Sequence, residues 1–105
     1  MFNISARKGF HITLANGWTL SVQFGYGNYC DNRRTGSFDS AVPACPNAEI
    51  AVWHTREHNM IEFHADQVKG WVTPDQVARL LGLMVTWPAD LSDYATSLKL
   101  TEFFE

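Results

Sequence analysis

The chain has 105 residues, a usual length for one domain, and 46% of them are hydrophobic and 13% aromatic, which provides for a core and argues against disorder. A net charge of −3 excludes two partner classes: a duplex-binding domain is usually basic on one face, and a nucleic-acid mimic is far more acidic. The longest apolar run, Leu80 to Val85 with Gly82 inside it, is too short to span a membrane. The first residues lack the basic-then-apolar pattern of a secretory signal, so the expected location is the cytoplasm.

Phe2 to Arg7 alternate apolar and polar residues and predict a first strand, with Lys8-Gly9 as the turn after it. In the next strand Phe10, Ile12 and Leu14 share one face, and His11 and Thr13 the other. Asn16-Gly17 predicts a type I′ turn, because both residues accept the positive φ angles such a turn demands. The returning strand, Trp18 to Phe24, sets Trp18, Leu20, Val22 and Phe24 against Thr19, Ser21 and Gln23. A sheet with one buried and one polar face follows, with His11 on the polar face as a solvated residue.

Gly25 to Asn47 has no periodicity and carries Gly25, Gly27, Gly36, Pro43 and Pro46 among Asn, Asp, Ser and Thr. So long an irregular connection in a compact domain tends to be functional or mobile. Ala48 to His54 and Met60 to His64 predict a second hairpin, and Gln67 to Val72 another short strand.

Thr73-Pro74-Asp75-Gln76 is a helix start: Thr73 caps, Pro74 suits the first helical position and Gln76 completes a capping box. Val77, Leu80, Leu81, Met84 and Val85 follow as one apolar face, and Trp87-Pro88 ends the helix. Asp90 or Ser92 caps a second helix in which Leu91, Tyr94, Ala95 and Leu98 align. Leu100, Phe103 and Phe104 form an apolar tail that either packs on its own subunit or is buried in a homodimer. The fold expected is a single α+β domain over residues 1–105. It is an antiparallel, hairpin-rich sheet of about five strands with one or two C-terminal helices on one face.

His54-Thr55-Arg56-Glu57-His58 matches the H-x-x-E-H pattern of inverted zinc peptidases. That chemistry needs both histidines on one helix face, whereas strand-like residues on either side put this stretch in a hairpin turn. A metal-dependent hydrolase is therefore disfavoured, as is a structural metal site of His54, His58 and His64, and no cofactor is expected. Cys30 has no nucleophile signature around it, and Gly25-Tyr26-Gly27-Asn28 lacks the Gly-Lys-Ser/Thr ending of a phosphate loop. Cys30 and Cys45 flank the irregular segment and read as reduced thiols, although a disulfide between them would clasp the loop.

The loop composition itself is coherent. Tyr26 and Tyr29 offer flat faces, Asn28, Asp31 and Asn32 fixed donors and acceptors, and Arg33 and Arg34 cations able to grip a phosphate or carboxylate. These seven residues make a candidate site for a protein partner or for a nucleotide-like ligand, with Lys69-Gly70-Trp71 a possible addition.

Lys8-Gly9-Phe10, Asn16-Gly17-Trp18-Thr19 and, above all, Ser21-Val22-Gln23-Phe24-Gly25 with Gly27-Asn28-Tyr29-Cys30-Asp31-Asn32 resemble segments of small proteins encoded by bacteriophages and prophages. The likeness covers the first third of the chain, with echoes at Ala48 to Trp53 and Lys69-Gly70-Trp71. It implies a setting and no reaction: a small phage-type accessory protein in a bacterial cytoplasm. Such proteins bind and inhibit host components, including defence systems of the CRISPR kind.

Overall fold

The computed structural model describes residues 1–40, 43–57 and 59–105. Five strands, β1 (Phe2–Ser5), β2 (Gly9–Thr13), β3 (Trp18–Gln23), β4 (Ala48–His54) and β5 (Lys69–Val72), form one antiparallel sheet in chain order. Helices α1 (Pro74–Met84) and α2 (Asp93–Phe103) follow, so the α+β architecture is as expected. Among the described residues no helix is long and apolar enough to cross a membrane.

The core lies on the sheet face toward the helices. Trp18, Leu20 and Val22 of β3 pair with His54, Val52 and Ile50 of β4, and this surface meets Leu80 and Met84 of α1 and Leu100 of α2, all three fully buried. Thr73 caps α1: its side chain accepts the Gln76 N–H while the Gln76 side chain accepts the Thr73 N–H. Ser92 caps α2 by accepting the Ala95 N–H.

Several expectations are corrected. Around Asn16-Gly17 the Gly17 N–H bonds to the Leu14 carbonyl and only Gly17, at φ +87°, is left-handed, so the turn is type I closed by a glycine bulge. Glycine is needed there twice over, because a Cβ would sit 2.5 Å from the His54 ring. Asn16 escapes the left-handed region because its side chain works elsewhere. Its Oδ1 accepts the Trp18 N–H, and its Nδ2 donates to the carbonyls of Met84 and Trp87, tying the hairpin to the end of α1. The first turn is Ala6–Arg7, at φ 43° and 64°, and Gly9 already belongs to β2.

Met60 to His64 is not a strand. Trp53 and Met60 form one isolated bridge, then His64 and Ala65 adopt positive φ and reverse the chain between Phe63 and Asp66. Ile61 and Phe63 are still buried, while β4 takes β5 as its ladder partner. Val85, Tyr94 and Leu98 are exposed rather than core. The inner face of α2 is Thr96 and Leu100, the Thr96 hydroxyl being satisfied by the Ser92 carbonyl. Phe103 and Phe104 pack on the body of the same chain, Phe104 stacking on Phe63 at 5.9 Å. His11 is half-buried, edge-on to Trp53 at 5.4 Å, and this pair shelters Thr19 and Ser21 on the face away from the helices.

Candidate functional site

Residues 25–40 and 43–47 fold as turns held to the sheet by their own polar groups. The Asn28 side chain accepts the Gly25 N–H, and the Gly27 N–H donates to the Arg33 carbonyl. Asn32 donates to the carbonyls of Phe24 and Ala44, and Asn47 accepts the Asp31 N–H. Asn28 and Asn32, expected as ligand contacts, also hold the loop in shape through these bonds. Cys30 is buried beneath it, and burial, reinforced by the nearby Cys45 thiol, pushes its thiol up from 9.0 to about 11. Both cysteines are free.

Tyr29 is the hinge between loop and sheet. Its N–H donates to a carboxylate oxygen of Glu49 at 2.9 Å, and its carbonyl accepts the Trp71 N–H at 2.9 Å. Gly70 permits this approach, since a Cβ there would lie 2.7 Å from the Tyr29 Cβ. β5 carries one extra residue opposite β4, with Ala48 facing Val72 and Ile50 facing Lys69. The bulge throws Trp71 into the left-handed region at φ 53°, uncommon for so bulky a residue. Trp71 is half exposed and lies parallel to Tyr29, 6.2 Å between ring centroids, while the Arg33 guanidinium covers Tyr29 at 4.5 Å. Arg33, Tyr29 and Trp71 therefore form one cation–aromatic stack.

A second cluster adjoins the first through the Gly27–Arg33 bond. Tyr26 meets Phe38 edge-on at 4.8 Å, the Lys8 ammonium sits 4.3 Å above Phe38, and Arg7 donates to the Asp39 carbonyl. Phe38 is 66% exposed. Of the seven residues read from sequence, Tyr26 and Tyr29 are half-buried platforms and Asp31, Arg33 and Arg34 are exposed at the surface. Arg7, Lys8, Phe38 and Trp71 join them. Lys69 does not: its ammonium lies over Phe104. Phe38 had a sequence signal, a lone aromatic in the polar stretch 35–40, whereas Arg7 and Lys8 reach the loop only through the sheet. Four of the eight Lys and Arg residues gather here in a chain of net charge −3.

An apolar cleft of about 420 Å³ opens on the helix side, between α1, the sheet and residues 43–47. Phe10, Phe24, Val72, Val77 and Leu81 are among its walls, and none of the seven loop residues lines it. His54, the first residue of the histidine pattern, is held by the β2–β3 hairpin and by its own turn. His54 Nε2 lies 2.8 Å from the Asn16 carbonyl and its Nδ1 accepts the Arg56 N–H, so both ring nitrogens are engaged. Arg56 in turn donates to the carbonyls of Ala89 and Leu91. His58 lies outside the described residues, and among those described no three His, Cys, Asp or Glu side chains are grouped to hold a metal. Comparison with family models, with curated proteins and with solved structures returns no match for this chain.

Proposed function

We propose that this is a binding protein of the phage-accessory type, acting in a bacterial cytoplasm by docking its loop surface on an acidic face of a host protein or complex and so inhibiting it. A defence assembly of the CRISPR kind is the target class that the sequence resemblance suggests. The observation that supports the reading most is Trp71: a bulky residue in a left-handed, half-exposed conformation, stacked on Tyr29 beneath Arg33. Backbone strain of this kind is retained where surroundings fix it, and functional surfaces are where it gathers. Tryptophan, tyrosine and arginine are also the residues that dominate binding hot spots, and here their side chains already pack on one another.

The second reading is a small-ligand binder. The cleft has the size of a ligand pocket, but its apolar walls suit an apolar group rather than a nucleotide. A nucleotide-like signal would instead have to bind on the open surface at Arg33 and Arg34.

The test is an affinity capture from a bacterial host lysate, followed by reconstitution with the purified partner and by a search of heat-released material for nucleotides. One host component bound stoichiometrically by the protein and by an Arg79→Ala control, and weakened on the order of 10-fold or more in Arg33→Ala/Arg34→Ala, supports the reading. A nucleotide released without a protein partner favours the second one. Equal binding by the double variant overturns the assignment of the loop.

A further inference from the structure

We infer that β1 is a homodimer interface, two copies pairing antiparallel through this edge about a two-fold axis at Asn3. The argument starts from hydrogen-bond parity. Met1 and Thr13 exchange both backbone bonds, the Met1 amine donating to the Thr13 carbonyl and the Thr13 N–H to the Met1 carbonyl. Along an antiparallel ladder such pairs alternate, so Asn3 with His11 and Ser5 with Gly9 also bond inward. The N–H and C=O groups of Phe2 and Ile4 therefore point off the sheet.

Those same two residues are the most exposed apolar side chains of the sheet, 79% and 88% accessible. They stand on the face of Phe10 and Ile12, toward the helix layer, which covers β3 to β5 but does not reach them. Backbone and side chains of one edge are thus unpartnered at the same two positions. Sheet edges are normally blunted with charge, proline or a bulge, and Phe2-Asn3-Ile4-Ser5 has none of these. The other edge is guarded: β5 bulges, and its Trp71 N–H is taken by Tyr29.

The register of this edge matches that of a second copy turned antiparallel to it. With Asn3 facing Asn3 at the axis, Phe2 falls opposite Ile4 of the second copy, and Ile4 opposite its Phe2. Each pair exchanges both outward bonds, and the apolar side chains meet on one face as two cross-strand pairs. This is the self-complementarity a two-fold interface requires. The strand is short, so the dimer is concentration-dependent.

Sedimentation equilibrium from micromolar to sub-millimolar protein tests it. The wild-type mass should rise from 11.9 kDa toward twice that value. Ile4→Pro removes an outward N–H and no bond to β2, and Ile4→Lys keeps every backbone bond while placing charge on the edge. Both should remain monomers throughout, with melting temperatures near that of the wild type at dilutions where it too is monomeric. If Ile4→Pro fails to fold, Ile4→Lys alone decides. A wild-type protein monomeric throughout, which would leave the edge to a strand of another protein, overturns the proposal. So does a dimer that persists in Ile4→Lys.

Discussion

Asn16 illustrates how one side chain replaces a stock turn rule. Its amide holds the carbonyls at the end of α1, so its backbone takes a conformation other than the one Asn-Gly usually signals. Asn16→Asp keeps the shape and loses the donor, leaving the Trp87 carbonyl without its partner and the Met84 carbonyl with only the Trp87 N–H. We expect a loss of about 1–3 kcal/mol, read from the urea midpoint. Cys30 gives a pH effect of definite sign. Its folded pKa, about 11, lies above the unfolded value near 9, so between these limits the folded state retains a proton that the unfolded state has released. Stability should fall as pH rises through that window, and should fall less in Cys30→Ala, compared by thermal melts at pH 8 and pH 10.5. Every other titratable group is common to both proteins, so the difference between them reports Cys30. At pH 8 a thiol reagent should modify half-exposed Cys45 first and reach Cys30 only on unfolding.

Among the elements, those written in local chemistry were legible. The capping box of α1, the β2–β3 hairpin and the α+β class all follow from residues adjacent in sequence. Two other turns were not legible, because Ala6-Arg7 and His64-Ala65 take positive φ without glycine or asparagine, under closure of the chain between Ser5 and Lys8 and between Phe63 and Asp66. Ile61 and Phe63 alternate with polar neighbours as a strand would, but the His64-Ala65 reversal ends the pairing after one bridge. The α2 face was misread because the apolar Tyr94 and Leu98 are outcompeted for burial by Leu100 and Phe103. In the loop, composition marked Tyr29 and Arg33, while Trp71 reaches Tyr29 from 42 residues away and Lys8 reaches Phe38 from 30 residues away by sheet pairing. Gly70→Ala tests the join between these elements. Its Cβ would collide with Tyr29, so the loop should detach with loss of the Tyr29–Trp71 stack, seen as a changed near-ultraviolet circular dichroism spectrum, while the far-ultraviolet spectrum of the sheet and helices persists.

For the whole molecule, the sheet separates three surfaces. One end carries the cationic–aromatic loop, the helix side holds the apolar cleft, and the β1 edge stands open. Stability and recognition should therefore separate in mutants. Trp71→Gly relieves the left-handed strain and removes the stacked ring, so it should weaken partner binding while leaving the unfolding free energy within about 0.5–1 kcal/mol of wild type.

The binding account depends most on the loop being a preformed surface instead of a mobile connection. Amide hydrogen exchange of the free protein measures this directly. The account predicts slow exchange at the N–H groups of Tyr29 and Trp71, held by Glu49 and by the Tyr29 carbonyl, at rates approaching those of β4. Exchange of both at the rate of an unstructured peptide would contradict it, and the proposed binding surface would fall with it.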